Sequence, residues 1–188
     1  MKKIIRKNNC RICSRSGLVE VLDLGMMPPA NSFLSKKDLS RPEEKFPLVV
    51  YFCKNCGLLQ LRDVVHPKFL YTHYDYMSSA SKPLADYLAK LGLELAAKFI
   101  KSKKDLVVDI GGNDGTLLAA IRDKCRVLNV EPANKITKLA RDREIETVND
   151  FFSEKLGRLI LKITGQPKLL RPTMSWLILT IYPIFLGV

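Results

Sequence analysis

Four cysteines stand in two pairs, Cys10-Arg11-Ile12-Cys13 and Cys53-Lys54-Asn55-Cys56, and each pair can offer two thiolates from one tight turn. A tetrahedral zinc takes four such soft ligands, and a shell filled entirely by protein makes the metal structural. Two other uses of the pairs compete, redox dithiols and buried thiols. A redox pair would open a helix in a thioredoxin-like unit, and neither pair is placed to do so. The long separation of the pairs makes the segment between them a small subdomain of its own. Cys125, at the start of an apolar run, reads as core.

A second constellation lies at Leu106-Val107-Val108-Asp109-Ile110-Gly111-Gly112-Asn113-Asp114-Gly115-Thr116. The apolar run reads as a buried parallel strand and the glycines as a turn that lets a ligand approach the backbone; Thr116 then opens a helix. The run Cys125-Arg126-Val127-Leu128-Asn129-Val130 ends in Glu131-Pro132-Ala133, with Glu131 twenty positions after Gly111. An acid at the second strand's tip, at that distance, can accept both hydroxyls of a ribose. A tight strand-to-helix turn with no ligand is the alternative for the loop alone. The loop lacks the third glycine spacing of the dinucleotide fingerprint, and it carries Asn113 and Asp114 where a pyrophosphate wants bare N–H groups. Those side chains repel phosphate and suit a cofactor with a cationic amino-acid end, S-adenosylmethionine rather than NAD.

Around the cysteines, Val19-Glu20-Val21-Leu22-Asp23-Leu24 alternates as a strand does. Met26-Met27-Pro28-Pro29 then forces an extended loop. Phe46-Pro47-Leu48-Val49-Val50-Tyr51-Phe52 enters the second pair and Gly57-Leu58-Leu59-Gln60-Leu61 leaves it, the pattern of a zinc-ribbon hairpin. So small a module buries little core, and metal supplies much of its stability. The aromatic stretch from His66 to Ser79 is a packing linker or a lid whose phenols relay protons. His66 and His73 read as loop residues, because the cysteines already complete a metal shell. Residues 83–100 have helical spacing, with Leu84, Leu88, Leu91 and Leu95 on one face. Beyond Glu131 a helix around 136–140 precedes further strand and helix, so the alternation is that of a doubly wound sheet.

The chain has 188 residues and a formal net charge of +12. Lys155, Arg158, Lys162, Lys168 and Arg171 lie in an acid-free C-terminal stretch, so the charge is uneven and a nucleic-acid partner loses support. Apolar content of 47% excludes a disordered chain. The basic opening Met1-Lys2-Lys3-Ile4-Ile5-Arg6-Lys7 is followed by no long apolar segment, so the expected location is the cytoplasm, with thiols reduced.

In ordered combination, these motifs resemble the zinc-containing C-methyltransferases that act on nucleotide-linked deoxysugars, adding a branch methyl at C3 of a 4-keto sugar. The matching residues are Cys10-x-x-Cys13, Leu24-Gly25 with Pro29-Ala30-Asn31-Ser32-Phe33, Cys53-x-x-Cys56-Gly57-Leu58-x-Gln60-Leu61, Tyr74-x-Tyr76-x-Ser78-Ser79, the loop from Asp109 to Leu117, Glu131-Pro132-Ala133 and Phe151-Phe152. The resemblance covers residues 10–160. It implies an α/β fold: a zinc-ribbon-like module over residues 1–70, an aromatic linker and helix over 71–104, and an incomplete Rossmann-like class I methyltransferase sheet over 105–166. It also implies zinc on the four cysteines and S-adenosylmethionine on Asp109, Gly111, Asn113, Asp114, Gly115, Glu131 and Pro132. Tyr74 and Tyr76 are then catalytic, and a nucleotide-sugar is the substrate. In that family a base removes the proton beside a sugar ketone, and the enolate attacks the cofactor's methyl.

The family's next motif, Asn-Val-x-Ala-His, whose histidine the resemblance implies as the base, is missing. Residues 167–188 instead read as an aberrant apolar tail. Its run from Met174 to Leu186 is short of the ~20 residues of a membrane span and is interrupted by Pro183. Shifting the reading frame by one nucleotide near Gln166 lets permitted codons spell Asn-Asn-Val-Leu-Ala-His, so a frameshifted, truncated and inactive product is the expectation; sequencing the gene around that codon tests it. Two rival functions follow from the same residues. One is a zinc ribbon gripping nucleic acid through Lys2, Lys3, Arg6, Lys7, Arg11 and Arg15; the other is methyl transfer to some other small acceptor.

Overall fold

The β-branched and aromatic run before the second cysteine pair forms the long middle strand of a three-stranded antiparallel sheet. In the computed structural model, which describes residues 2–30, 32–72 and 74–172, the chain divides into two units, Met1–Thr72 and His73–Val188. The first contains β1 (Ile4–Arg6), β2 (Leu18–Met27), β3 (Phe46–Cys53), β4 (Leu59–Leu61), β5 (Asp63–Val65) and α1 (Pro67–Tyr71). Its sheets are β2-β3-β4 and the two-stranded β1-β5, all antiparallel. Cys53-Lys54-Asn55-Cys56 makes the β3-to-β4 turn, so the ribbon hairpin expected from the sequence is present.

The sheet of this unit buries little. Alternation in β2 correctly marks a strand, but its apolar residues stay open to water: Val21, Leu24 and Met26 are each more than half exposed. Two register irregularities, between Glu20 and Leu22 and between Asp23 and Met26, bend β2 against β3. Among the described residues, the buried hydrophobic side chains of the unit are Cys10, Phe46 and Cys53. Phe46 stacks edge-on against Phe69 of α1, with ring centroids 5.3 Å apart. Arg6 Nε donates to the buried Asp63 at 2.7 Å, binding β1 to β5.

The second unit contains α2 (Lys82–Phe99), β6 (Leu106–Ile110), α3 (Thr116–Ala119), β7 (Arg126–Val130), α4 (Asn134–Asp142), β8 (Thr147–Val148), α5 (Glu154–Thr164) and β9 (Leu169–Pro172). The sheet runs β8-β7-β6-β9 with every pair parallel, the doubly wound arrangement the alternation implies. Successive residues of β6 serve opposite layers. Val107 joins Leu88 and Ala96 of α2, Leu117, Leu118, Ile121 and Ala140 on one face. Leu106, Val108 and Ile110 join Leu128, Val130, Phe152 and Ile160 of α5 on the other. Cys125 is buried in the first layer, as expected of a core cysteine.

The sequence reading places an apolar tail from residue 167, yet Leu169 to Pro172 extend the sheet beside β6, with Val107 opposite Leu169 and Ile110 opposite Pro172. The reason is in the side chains: Leu169 packs on one apolar layer and Leu170 on the other, which is what a strand covered on both faces needs. The rest of the expected tail, 173–188, lies outside the described residues. Among the described residues no helix is long and apolar enough to cross a membrane.

Candidate metal centre and cofactor loop

The two cysteine pairs repeat one backbone pattern. Cys10 N–H donates to Arg15 O at 2.9 Å and Ser14 N–H donates back to Cys10 O at 3.0 Å; Cys53 N–H donates to Leu58 O at 2.8 Å and Gly57 N–H to Cys53 O at 2.9 Å. The residue just past each pair turns left-handed, Ser14 at φ 57° and Gly57 at φ 75°. Between the turns, Arg15 donates to Asn55 Oδ1 at 2.6 Å, while the buried Gln60 accepts the Arg11 N–H at 2.9 Å.

So held, the four sulfur atoms lie within 4.8 Å of one another. Cys10 and Cys56 Sγ are 3.5 Å apart, and Cys13 and Cys53 Sγ 3.7 Å. Sulfurs bound about 2.3 Å from a tetrahedral zinc are separated by about 3.8 Å, so the cluster has the size and chemistry of a zinc shell. The Arg15 N–H is the largest of the influences that draw Cys13 down to about 6. At Cys56 the Leu58 N–H favours the thiolate, but burial and the neighbouring sulfurs together push the thiol up to about 12. A divalent cation relieves that mutual repulsion and lets all four ionise. His66 is not part of the cluster: its Nδ1 accepts the Lys68 N–H at 3.2 Å as the cap of α1. His73 lies outside the described residues.

In the second unit, β6 ends in a loop whose backbone is left-handed at Gly111 (φ 66°), Asn113 (φ 53°) and Gly115 (φ 72°). Gly112 is required by space. A Cβ there would stand 2.5 Å from Asn129 Oδ1 and 2.9 Å from the Asp109 carboxylate. Asp109 and Asn129 are register partners on β6 and β7, both fully buried, and they form the floor on which the loop rests. Asn129 Nδ2 donates to Asn113 O at 2.9 Å.

Glu131 follows β7 and meets the loop. Its Oε2 accepts the Asn113 N–H at 3.1 Å and its Oε1 accepts the Ala133 N–H at 2.9 Å. Burial raises its pKa, outweighing those two N–H groups; the carboxylate is 6% exposed. Each oxygen accepts one of these bonds and retains a lone pair for a hydroxyl. Pro132 opens the turn into α4, and its carbonyl accepts from Asn149 Nδ2 at 3.1 Å. The Glu131 carboxylate, with acceptor capacity left beside the loop, has the chemistry to take a pair of neighbouring hydroxyls.

The side chains of Asn113 and Asp114 bond the protein's own chain. Asn113 Oδ1 accepts the Ser78 N–H at 2.8 Å and its Nδ2 donates to Tyr76 O at 2.9 Å. Asp114 Oδ2 accepts the Ser79 N–H at 3.1 Å, and its Oδ1 accepts from Thr116 Oγ1 at 2.6 Å. Burial works against ionisation of Asp114, but Ser79, Thr116 and the Arg143 charge together hold its pKa below the usual value. Tyr74 and Tyr76 are thereby brought to the loop's side of the unit, their rings 6.3 Å apart. Sequence reasoning missed Asn129, Arg143 and Asn149. Asn129 left a trace, a polar residue inside an otherwise apolar strand; Arg143 and Asn149 sit in ordinary polar stretches and left none.

Residues 10–71 match the protein family described as "Putative zinc binding domain". Over 171 residues the chain is 32% identical to the C-methyltransferase NovU of Streptomyces niveus, a match covering 90% of this chain and 41% of that protein. The chain therefore spans less than half the length of this curated relative. The resemblance to zinc-bearing C-methyltransferases is borne out along most of the sequence.

Proposed function

We propose that this chain carries the zinc module and the S-adenosylmethionine-binding sheet of a C-methyltransferase acting on a nucleotide-linked keto-deoxysugar. The observation that carries this reading is the carboxylate of Glu131 bonded to the loop N–H of Asn113 at 3.1 Å, beside the glycine that admits no side chain. The likeness to a C-methyltransferase supports it.

When bound, the cofactor supplies an electrophilic methyl group. Glu131 accepts the ribose hydroxyls, and Gly112, with no side chain, lets the loop lie close on Asn129 and Asp109 so that the Asn113 N–H reaches that carboxylate. Tyr74 and Tyr76 offer phenols, able to donate a hydrogen bond or a proton, on the segment beside the loop. Carbon methylation next to a ketone also needs a base and a group that stabilises the enolate oxygen. The base motif expected from the resemblance is not spelled in this sequence, so the proposal is cofactor binding without sugar turnover. In the N-terminal unit Lys3 is paired with Glu44 and Arg6 with Asp63, which offsets two of the six cations that a nucleic-acid partner would use.

Calorimetric titration with S-adenosylmethionine, a zinc assay and a methyl-transfer assay with a nucleotide 4-keto sugar test the proposal together. Saturable cofactor binding, one zinc per chain and no methyl transfer are the expected results. No cofactor binding overturns the reading. Tight, steeply salt-dependent binding of DNA or RNA would replace it with the zinc-ribbon alternative.

A further inference from the structure

The loop that is to receive the cofactor is also tied, through side chains, to the tyrosine-bearing segment ahead of α2. Two consecutive loop residues accept two consecutive backbone N–H groups: Asn113 from Ser78 at 2.8 Å and Asp114 from Ser79 at 3.1 Å. Asn113 closes the grip by donating to Tyr76 O at 2.9 Å. Arg143 supports it from beyond α4, donating to Ser79 Oγ at 2.8 Å and Thr116 Oγ1 at 3.0 Å, with Asp114 Oδ1 3.4 Å away. Ser78, Asn113 and Asp114 are each at most 3% exposed, so water is a poor substitute for these partners. On its other side, the Asn113 N–H is the group that donates to Glu131.

We propose that Asn113, Asp114 and Arg143 are positioning residues, a clamp that fixes residues 76–79 against the loop and so couples the ribose-side carboxylate to the placement of Tyr76. The hydrogen-bonded path runs from Glu131 through the Asn113 backbone to the Asn113 side chain and on to Tyr76 and Ser78. The coupling to cofactor rests on the function proposed above; the clamp itself does not. A side chain that looks like a ligand for the cofactor's charged end is thus assigned to holding the protein's own chain.

Amide hydrogen exchange on the full chain tests this, with and without S-adenosylmethionine. Because Asn113 is left-handed, Asn113→Gly removes the side chain without straining the turn, and Asn113→Asp keeps the acceptor for Ser78. Without ligand, Asn113→Gly should speed exchange at Ser78 at least tenfold and leave Val108 and Leu128 unchanged, and Asn113→Asp should restore most of the protection. Arg143→Met should speed exchange at Ser79 by a smaller factor. With the cofactor, the wild-type chain should gain protection at residues 76–79 and Asn113→Gly should not. Unchanged Ser78 exchange in Asn113→Gly overturns the clamp, and so does loss at Ser78 accompanied by equal loss at Val108. Cofactor that binds wild type with no change at 76–79 overturns the coupling. If no cofactor binds, the function proposed above and its coupling fail together, while the ligand-free comparison has already decided the clamp.

Discussion

β2 and β6 are both strands rich in Val and Leu, yet nine of ten residues of β2 are exposed and all five of β6 are buried. The two units therefore hold together by different means. Around β6 the apolar layers on both faces of the sheet remove large side chains from water, which is the ordinary source of domain stability. Around β2 and β3 little is buried, and what organises the strands is the meeting of two backbone turns at four sulfurs. Apolar composition alone does not reveal which regime a strand belongs to; the covering elements decide.

Removing metal should break this comparison most visibly. Zinc sites of this type contribute about 10–16 kcal/mol, more than the unit's small core can replace. A strong chelator, or Cys53→Ser, should abolish amide protection in β2 and β3 and leave β6 and β7 protected, as read by hydrogen exchange alongside a zinc assay. Equal protection with and without metal would show that burial suffices in the first unit after all.

The reverse experiment is Gly112→Ala, whose methyl group would collide with Asn129 and Asp109 beneath the loop. Denaturant unfolding should show the second unit weakened by about 2 kcal/mol, with the zinc content unchanged. Glu131→Gln sharpens the contrast at the ligand: calorimetry should find cofactor affinity reduced about tenfold, ~1.4 kcal/mol. Its pH dependence has a definite sign. Because burial raises the Glu131 pKa, the proton that weakens binding arrives at a higher pH than for an ordinary glutamate. For the same reason its ionisation lowers folding stability as pH rises through the raised value, whereas Glu131→Gln removes that pH dependence but, with one amide oxygen, loses one of the two backbone bonds and should be somewhat less stable. The smallest effect belongs to the first unit. Ser14 occupies the left-handed position that Gly57 fills in the other turn, and Ser14→Gly should raise that unit's stability by less than about 1 kcal/mol in the presence of zinc.

The sequence made the two chemistries legible because their signals are local. Paired cysteines announce a turn with two ligands, and a β-branched run ending in glycines announces strand and loop. What it concealed depends on partners distant along the chain. Ser78 and Asn113 are 35 positions apart, and nothing in either residue type says that the asparagine faces its own chain and not a cofactor. Alternation in β2 likewise told of a strand and not of its exposure. Leu169 and Leu170 read as tail because the arginine and prolines around them obscure the strand pattern, whereas two adjacent leucines suffice to fill one gap on each side of a sheet.

The two irregularities along β2 carry a practical meaning for so open an apolar strand at the sheet's margin. A straight ribbon of that length would invite another chain to zip alongside it, growing into fibrous aggregates. Each irregularity interrupts the regular ladder that such zipping needs, which is how an open apolar border is kept from offering a long straight edge.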